Sequence, residues 1–552
     1  MKSSYDTVIV GSGFGGSVMA CRLARSRREE GERPSICVLE RGRRYNMGEF
    51  PRDIWRVRDW WWYGQGRGGW NGLWEYRDLG DMGVGMAAGV GGTSLVYLDV
   101  QIDAFDTTWD FVGPEGKHRW PRSVAWRSEM PQYYTRVEQM LRPSPIPCAP
   151  LKARALQQGA QSVGDGDRFR LLDLAVYWGR RGVWDPDPYD RGGPPQVGCD
   201  LCGECYIGCN SHSKNTVDLN YLWMAQQAGA EVYSLHNVLN IKPNGPDHPQ
   251  RPGGFTVHFE DLRWGLPGSV AADRVVLAAG TIGSTELLLR CKHGRQQVSQ
   301  PAPTLPEVSD MLGSHFSGNG DFGAVGFETD RTVEPMDGPS ITGVLDYEDR
   351  RDGHGFLIEE GGCPDMLRAQ LRQMPGGLAL GRGIIRGLSR ALGREPGPDL
   401  VRDIFRRLDF EAARDALPML IMGSDASDGE MSLDRNGNLK IGWNTERNMD
   451  FFREVENTVR DILQKEKPGL NGNMFLNPTW TTGKHLITVH PLGGCPMGDD
   501  PARGVVDPRG EVYNYPGLYV ADGSIVPSAL GANPSKTIGA LAERIAEKMT
   551  EE

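Results

Sequence analysis

The chain has 552 residues, 39% of them hydrophobic, which is more than one core accommodates and suggests two closely joined domains. A net charge of −11 argues against nucleic acid as a partner. No apolar run approaches the ~18 residues that span a bilayer, and Met1-Lys2-Ser3-Ser4-Tyr5-Asp6 leads straight into the first predicted strand, so a cytoplasmic location is expected.

Val8-Ile9-Val10 reads as a short buried strand and is followed at once by Gly11-Ser12-Gly13-Phe14-Gly15-Gly16. A helical segment, Ser17 to Ala24, comes next, then a second strand, Ile36-Cys37-Val38-Leu39, ending at Glu40-Arg41-Gly42. Strand, glycine turn, helix, strand and acid form a dinucleotide-binding unit. The glycines let a pyrophosphate approach a helix N-terminus, and the acid meets a ribose hydroxyl. A second cluster, Gly89-Val90-Gly91-Gly92-Thr93-Ser94-Leu95-Val96-Tyr97, can bring backbone N–H groups to another part of a large cofactor. With the unit starting within ten residues of Met1 and the rest of the chain wrapped around it, FAD fits better than NAD.

Segment 51–76 holds Trp55, Trp60, Trp61, Trp62, Trp70 and Trp74, loosened by Gly64, Gly66, Gly68, Gly69 and Gly72. It reads as an aromatic lid over an apolar pocket, a subunit contact, or core beneath a long loop. Ten cysteines without a secretory leader read as thiols. Four are clustered as Cys199-x2-Cys202-x2-Cys205-x3-Cys209, the spacing of a bacterial ferredoxin run with Asn210 in place of the proline. An iron–sulfur cluster and a tight structural loop both satisfy that spacing.

Val275-Val276-Leu277-Ala278-Ala279-Gly280 reads as a buried parallel strand turning into the helix Ile282 to Leu289. Further on, Leu380 to Arg394 carries Arg382, Arg386, Arg390 and Arg394 on one helical face and apolar residues on the other. Such a helix could rest on anionic lipid or on the protein's own acidic surface. Met419 to Leu433 and Leu439 to Trp443 flank Asp434-Arg435-Asn436-Gly437, a hairpin signal. Near the C-terminus, His490-Pro491-Leu492-Gly493-Gly494-Cys495 and Asn533-Pro534 bracket the strand Gly517 to Ala521 and its turn Asp522-Gly523. A His and an Asn, each beside a proline, suit holding a substrate hydroxyl between a base and a hydrogen-bond partner.

Gly11 to Gly16, Glu40-Arg41-Gly42, Gly89 to Leu95, Val275 to Ser284 and His490 to Leu541 occur in the order found in one family. The chain resembles the glucose–methanol–choline (GMC) FAD oxidoreductases, in their cholesterol-oxidase-like branch. The resemblance implies an α/β fold, with a Rossmann-type FAD-binding domain and a second domain built on an antiparallel sheet covered by helices. It places residues 1–45, 200–318 and 483–552 in a discontinuous FAD domain that 85–100 also contacts, 46–199 in lid and linking segments, and 319–482 in the substrate domain. Cofactor contacts are expected from Gly11, Gly13, Phe14, Gly15, Gly16, Glu40, Arg41, Gly89, Gly91, Gly92, Ser94, Val238, Ala279, Gly280, Asp522, Gly523, Asn533, Pro534 and Thr537.

The resemblance also implies that His490 and Asn533 orient the hydroxyl, and it makes Glu359 and Glu360 the positional candidates for an isomerisation base. His485 is the weaker histidine because no proline restrains it. Cysteine-rich stretches before a segment like Lys214-Asn215-Thr216 resemble a tight loop in such relatives. The function expected is FAD-dependent oxidation of a bulky hydrophobic, steroid-like alcohol to a ketone. The alternatives are a sugar or glycoside dehydrogenase relaying electrons through iron and sulfur at Cys199 to Cys209, and a non-redox isomerase or cyclase using the same pocket. Oxygen, a quinone or a protein could each take the electrons.

Overall fold

The computed structural model describes residues 1–26, 31, 33–63, 69–189, 192–294, 302–349, 355–362, 364, 412–466 and 468–551. The predicted basic helix over 380–394 and the glycines at 64, 66 and 68 lie outside the described residues.

Five strands, drawn from both ends and the middle of the chain, run parallel in one sheet. Their order is Glu231–Tyr233, Ile36–Leu39, Ser4–Val10, the end of Leu266–Leu277, then Leu518–Val520. All four residues of Ile36–Leu39 are buried, as a strand covered on both faces must be. The expected strand at Val275 is the second half of a much longer one. Its first half turns back antiparallel against Phe255–Asp261, which pairs with His236–Pro243. Helices Phe14–Arg25, Gly280–His293 and Ser535–Thr550 each begin just beyond a parallel strand's C-terminal end, or one short loop later. Ligands bind at that edge in open α/β sheets, because helix N-termini and strand ends open there together.

The second sheet has six antiparallel strands in the order Asn473–Leu476, Phe322–Phe327, Leu417–Gly423, Phe356–Glu360, Gly343–Asp346 and Phe169–Leu171. Helices Leu151–Val163 and Met449–Gln464 cover one face. The latter buries Phe451, Phe452, Val455, Val459, Ile462 and Leu463 at helical spacing. Truncating such a buried phenylalanine costs about 3–5 kcal/mol. The sheet's edge strand Phe169–Leu171 and the helix Leu151–Val163 both come from the 46–199 segment.

The predicted hairpin forms, with Glu430–Leu433 against Leu439–Gly442, and Asp434 accepts from the N–H groups of Asn436 and Asn438. It stands apart as a two-stranded ribbon. Only Leu417–Gly423, upstream of it, joins the six strands.

All five residues of Phe356–Glu360 are buried. Because strand side chains alternate faces, Glu359 and Glu360 point in opposite directions, and that alternation decides which of them meets the flavin-domain side.

Candidate active site

A cavity of about 870 Å³ lies along the C-terminal edge of the parallel sheet. At one end it is lined by Glu40, Arg41 and Val238, in the middle by Gly11, Gly13, Phe14, Gly15, Gly92, Ala279 and Gly280, and at the other end by His490, Asn533 and Pro534. Two glycines make this cradle possible. Gly11 has φ +96° and a Cβ there would sit 2.3 Å from the Ala278 carbonyl oxygen. Gly92, at φ +56°, packs so closely on the first cluster that a Cβ would lie 2.5 Å from Gly13 Cα. The two glycine runs, far apart in sequence, are therefore one floor.

Glu40 fixes that floor. Its carboxylate accepts from Ser12 N at 3.0 Å, Ser12 Oγ at 2.7 Å and Gly42 N at 2.7 Å. Gly91 N donates in turn to Ser12 Oγ at 3.0 Å. Asp522, also buried, ties the next two strand ends together by accepting from Gly280 N at 2.9 Å and Ser524 N at 2.9 Å. Five predicted contacts stand behind the lining instead of in it. Gly16 packs on Gly11, Gly89 and Gly91 hold Ser12, Ser94 Oγ donates to Gly91 O at 2.7 Å, and Thr537 Oγ1 pairs with Tyr134 OH at 3.0 Å.

At the far end the polar groups converge. His490 Nδ1 lies 2.8 Å from Asp321 Oδ1, and Asp321 Oδ2 accepts from Val489 N at 2.8 Å and Thr488 Oγ1 at 2.9 Å. Nδ1–H is thereby committed to Asp321, leaving Nε2 as the nitrogen available to the cavity. Burial pulls the imidazole pKa down, but the charge and hydrogen bond of Asp321, with Glu359 adding to them, raise it above the ordinary value.

Asn533 Nδ2 donates to Glu359 Oε2 at 3.3 Å. Burial pushes the Glu359 carboxyl up to about 8, against the opposing pull of the Asn533 hydrogen bond and the His490 charge. Glu359 Oε1 and Asn533 Oδ1 are both buried without a hydrogen-bond partner among the described residues. Buried polar atoms are normally satisfied, so this pair is what a ligand's polar groups would complete.

Glu360 faces the other way. It accepts from Thr342 N at 2.8 Å and Gly343 N at 2.7 Å, in the field of Lys152 on the covering helix. The structure thus separates Glu360 from the site and leaves Glu359 as the glutamate that meets Asn533. His485 does not line the cavity either, its Nε2 lying 4.0 Å from Asp78.

A family model described as GMC oxidoreductase matches residues 425–542. A cholesterol oxidase of Acinetobacter baumannii is 29% identical over 564 residues, covering 98% of this chain and 93% of that protein. A cholesterol oxidase of Mycobacterium tuberculosis is 30% identical over 574 residues, covering 99% of this chain and 91% of that protein. The chain belongs to the GMC oxidoreductase family. The fold agrees. A fungal aryl-alcohol oxidase superposes with a TM-score of 0.60 at 15% identity over 100% of this chain and 99% of its own. Pyridoxine 4-oxidase from Mesorbium loti does so at 0.56 and 17%, over 99% of each chain.

GMC oxidoreductases are FAD-dependent and act on alcohols, and the residues here fit FAD. The N-terminus of Phe14–Arg25 suits the pyrophosphate and Glu40 the ribose. Val238, Gly92, Thr93, Val96, Asn533, Pro534 and Ser535 line the same cavity.

Among the described residues the four-cysteine run is not gathered as a metal site. Among the described residues no group of three or more His, Cys, Asp or Glu side chains could hold a metal ion, and Cys199, Cys202, Cys205 and Cys209 are free. Burial pushes the Cys199 thiol up to about 12, away from the thiolate a metal needs. The loop is instead stitched to the second domain, Gly338 N donating to Leu201 O at 3.0 Å and Ser340 Oγ to Gly203 O at 3.2 Å.

Of the tryptophan segment, Trp62 and Trp74 line the cavity while Trp55 and Trp61 are exposed. Among the described residues no helix is long and apolar enough to cross a membrane.

Sequence reasoning missed Asp321 and Asn319. Both sit in Ser317-Gly318-Asn319-Gly320-Asp321, a short polar run entering the strand Phe322–Phe327. Asn319 accepts from Leu530 N at 2.9 Å and Gly531 N at 3.3 Å and donates to Ala532 O at 2.9 Å. One five-residue turn therefore orients His490 through Asp321 and the Asn533 loop through Asn319. Buried Asp425 braces it, accepting from Ser317 Oγ at 2.8 Å and Gly320 N at 3.0 Å.

Proposed function

We propose that this enzyme oxidises a bulky, hydrophobic, steroid-like secondary alcohol to a ketone, with oxygen as the favoured electron acceptor. The observation that carries the reading is the convergence of His490 and Asn533, with Glu359 bonded to Asn533 behind the lining, beside an apolar wall of Met86, Leu98, Val100, Leu420 and Val489. FAD, when bound, takes the hydride from the carbinol carbon. His490 Nε2 is placed to accept the substrate O–H and to receive its proton as the C–H bond breaks, while Asn533, with one amide N–H held by Glu359, has its other N–H to donate to the hydroxyl oxygen. Asp321 holds the imidazole in the one tautomer that leaves Nε2 as acceptor. The apolar wall excludes water, which strengthens each of these polar contacts.

The cholesterol oxidases at 29% and 30% identity support a sterol as the substrate class. For a product with a carbon–carbon double bond next but one to the new carbonyl, Glu359 supplies a second step. Its carboxylate removes a proton from the carbon between the two groups and returns it at the far end of the double bond, bringing the two into conjugation without net oxidation. No observation favours relay through an iron–sulfur cluster or a purely non-redox role.

The test is anaerobic reduction of the bound flavin across sterols, terpenoid alcohols, glycosides and simple alcohols. Bleaching by sterols at rates well above the others is expected, and bleaching by sugars alone overturns the substrate class.

A further inference from the structure

Lys214 is 2% exposed, and all three of its N–H groups are spent on neutral carbonyls. Nζ donates to Leu95 O at 2.9 Å, Tyr97 O at 2.9 Å and Cys205 O at 2.7 Å. An ammonium has three donors and no acceptor, so its charge is buried with no carboxylate in direct contact. Stripping a cation of water in this way is costly unless something nearby benefits from the field.

What lies nearby is the cavity. Lys214 Nζ sits 5.3 Å from the centroid of the Tyr97 ring. Tyr97 lines the cavity and meets Phe14, another lining residue, edge to face at 5.3 Å. The chain continues from Tyr97 through Leu98 to Val100, which share an apolar cluster with Leu420 and Ala532. Leu420 is the cross-strand partner of Glu359, and Ala532 precedes Asn533. The buried ammonium therefore stands behind the end of the cavity where hydride transfer is assigned, away from the Glu40 end.

Asp99 adds a second, independent sign that this spot is built and not incidental. It is fully buried, holds a left-handed φ of +67°, and neither carboxylate oxygen makes a hydrogen bond of ordinary geometry among the described residues. Strained backbone and an unpaired buried acid both cost stability, and such costs collect at working sites. Burial pushes its carboxyl up to about 7, with the Lys214 ammonium and then the Cys205 thiol pulling it back. Tyr97, Cys199 and Cys205 are the other titratable groups around it.

We propose that Lys214 tunes the flavin: it holds a positive charge behind Tyr97 that stabilises negative charge arriving at that end of the cofactor, raising its reduction potential, with Asp99 as the opposing charge. Lys214 touches neither substrate nor cofactor in this account and acts through Tyr97 and the field. The inference rests on FAD occupying the cavity, so stoichiometric FAD in the purified wild-type protein is established first. Its absence sinks the cofactor reading and this one with it, whereas an unchanged potential in an FAD-replete protein sinks this one alone.

The experiment is the midpoint potential of the bound flavin in wild type, Lys214→Met, Lys214→Arg and Asp99→Asn, each holding one FAD per chain, at alkaline pH where Asp99 is charged. Lys214→Met is expected to shift the potential negative and Lys214→Arg to restore it. Asp99→Asn is expected to shift it positive, and asparagine tolerates the left-handed backbone there. An unchanged potential in a folded, FAD-replete Lys214→Met protein overturns the proposal. If Lys214→Met yields no folded flavoprotein, Asp99→Asn decides, since an unshifted potential in that variant means that charge behind Tyr97 does not reach the flavin and overturns the proposal.

Discussion

Asp321 Oδ1 sits 2.8 Å from His490 Nδ1, and the same carboxylate accepts the backbone N–H groups of Val489 and His490. A single acid thus fixes the ring, its tautomer and the strand end that carries it. Asp321→Asn keeps the shape and removes the charge that holds the imidazole pKa high. Hydride transfer is expected to slow by roughly 10²–10⁴-fold, the usual worth of a positioned acid–base group. Since neutral His490 is the proton acceptor, activity rises with pH through its pKa, and the variant's acidic limb moves to lower pH. Stopped-flow flavin reduction against pH measures both effects, and an unmoved limb removes His490 from the role of base.

The same turn reaches across the site. Asn319, at φ +54°, holds three backbone groups of the loop leading to Asn533. Asn319→Gly preserves the left-handed backbone and deletes only the clamp. A small misplacement of a reacting group costs on the order of 10²-fold. A drop of about that size in kcat, with FAD still bound, is the expected outcome. A drop confined to thermal stability would make the clamp structural only.

Much of this architecture was legible beforehand, and the reasons are physical. Val8 to Glu40 announces itself because a phosphate-binding turn demands glycine at fixed places between two buried strands. His490 and Asn533 stood out because prolines flank them. Asp321 did not, because nothing local distinguishes an acid in a polar turn. Its meaning comes from a strand 169 residues away in sequence. Glu359 and Glu360 looked equivalent until pairing with Leu417–Gly423 set which face each occupies, and β alternation is uninformative when both faces are buried. The cysteine run was ambiguous for the opposite reason. Its spacing is that of a ligand set, but the loop it forms is pinned by carbonyls and a lysine.

Glu359 titrates on the alkaline side because burial disfavours its charge more than the Asn533 hydrogen bond and the His490 charge favour it. A carboxyl whose folded pKa, about 8, lies above its unfolded value contributes stability that is full below the unfolded value and is lost as pH rises through the folded one. Glu359→Gln removes the ionisation and keeps an acceptor for Asn533. Its melting temperature should therefore fall less than wild type's between pH ~6 and ~9, the interval that brackets this titration. Alcohol oxidation should persist within about tenfold, while double-bond migration falls by roughly 10²-fold or more. Following conjugated-enone absorbance beside flavin reduction separates the two. Loss of both together would tie Glu359 to oxidation itself.

The cysteines give a prediction with a clear sign. The thiols at 199, 205 and 209 are free and half-buried and that of Cys202 is exposed, so Cys202→Ser and Cys209→Ser should leave flavin absorbance and flavin reduction unchanged. Iron by elemental analysis should stay far below one atom per chain. Stoichiometric iron that disappears in either variant would restore the electron-relay reading.

Gly92 tests the floor on which the cofactor rests. Its φ of +56° is one alanine can adopt at a cost of about 1 kcal/mol, so backbone strain alone leaves Gly92→Ala folded. The added Cβ, however, would lie 2.5 Å from Gly13 Cα, and backbone cannot yield there as a flexible side chain would. The 89–92 loop must lift off the first glycine cluster, taking Gly91 N away from Ser12 and loosening Ser12 on Glu40. FAD retention is therefore expected to suffer more than the fold. The flavin-to-protein absorbance ratio after gel filtration should drop well below wild type, while circular dichroism and melting of the apoprotein change little. Full FAD retention in Gly92→Ala would mean that the contact between Gly13 and Gly92 is not what shapes the cradle.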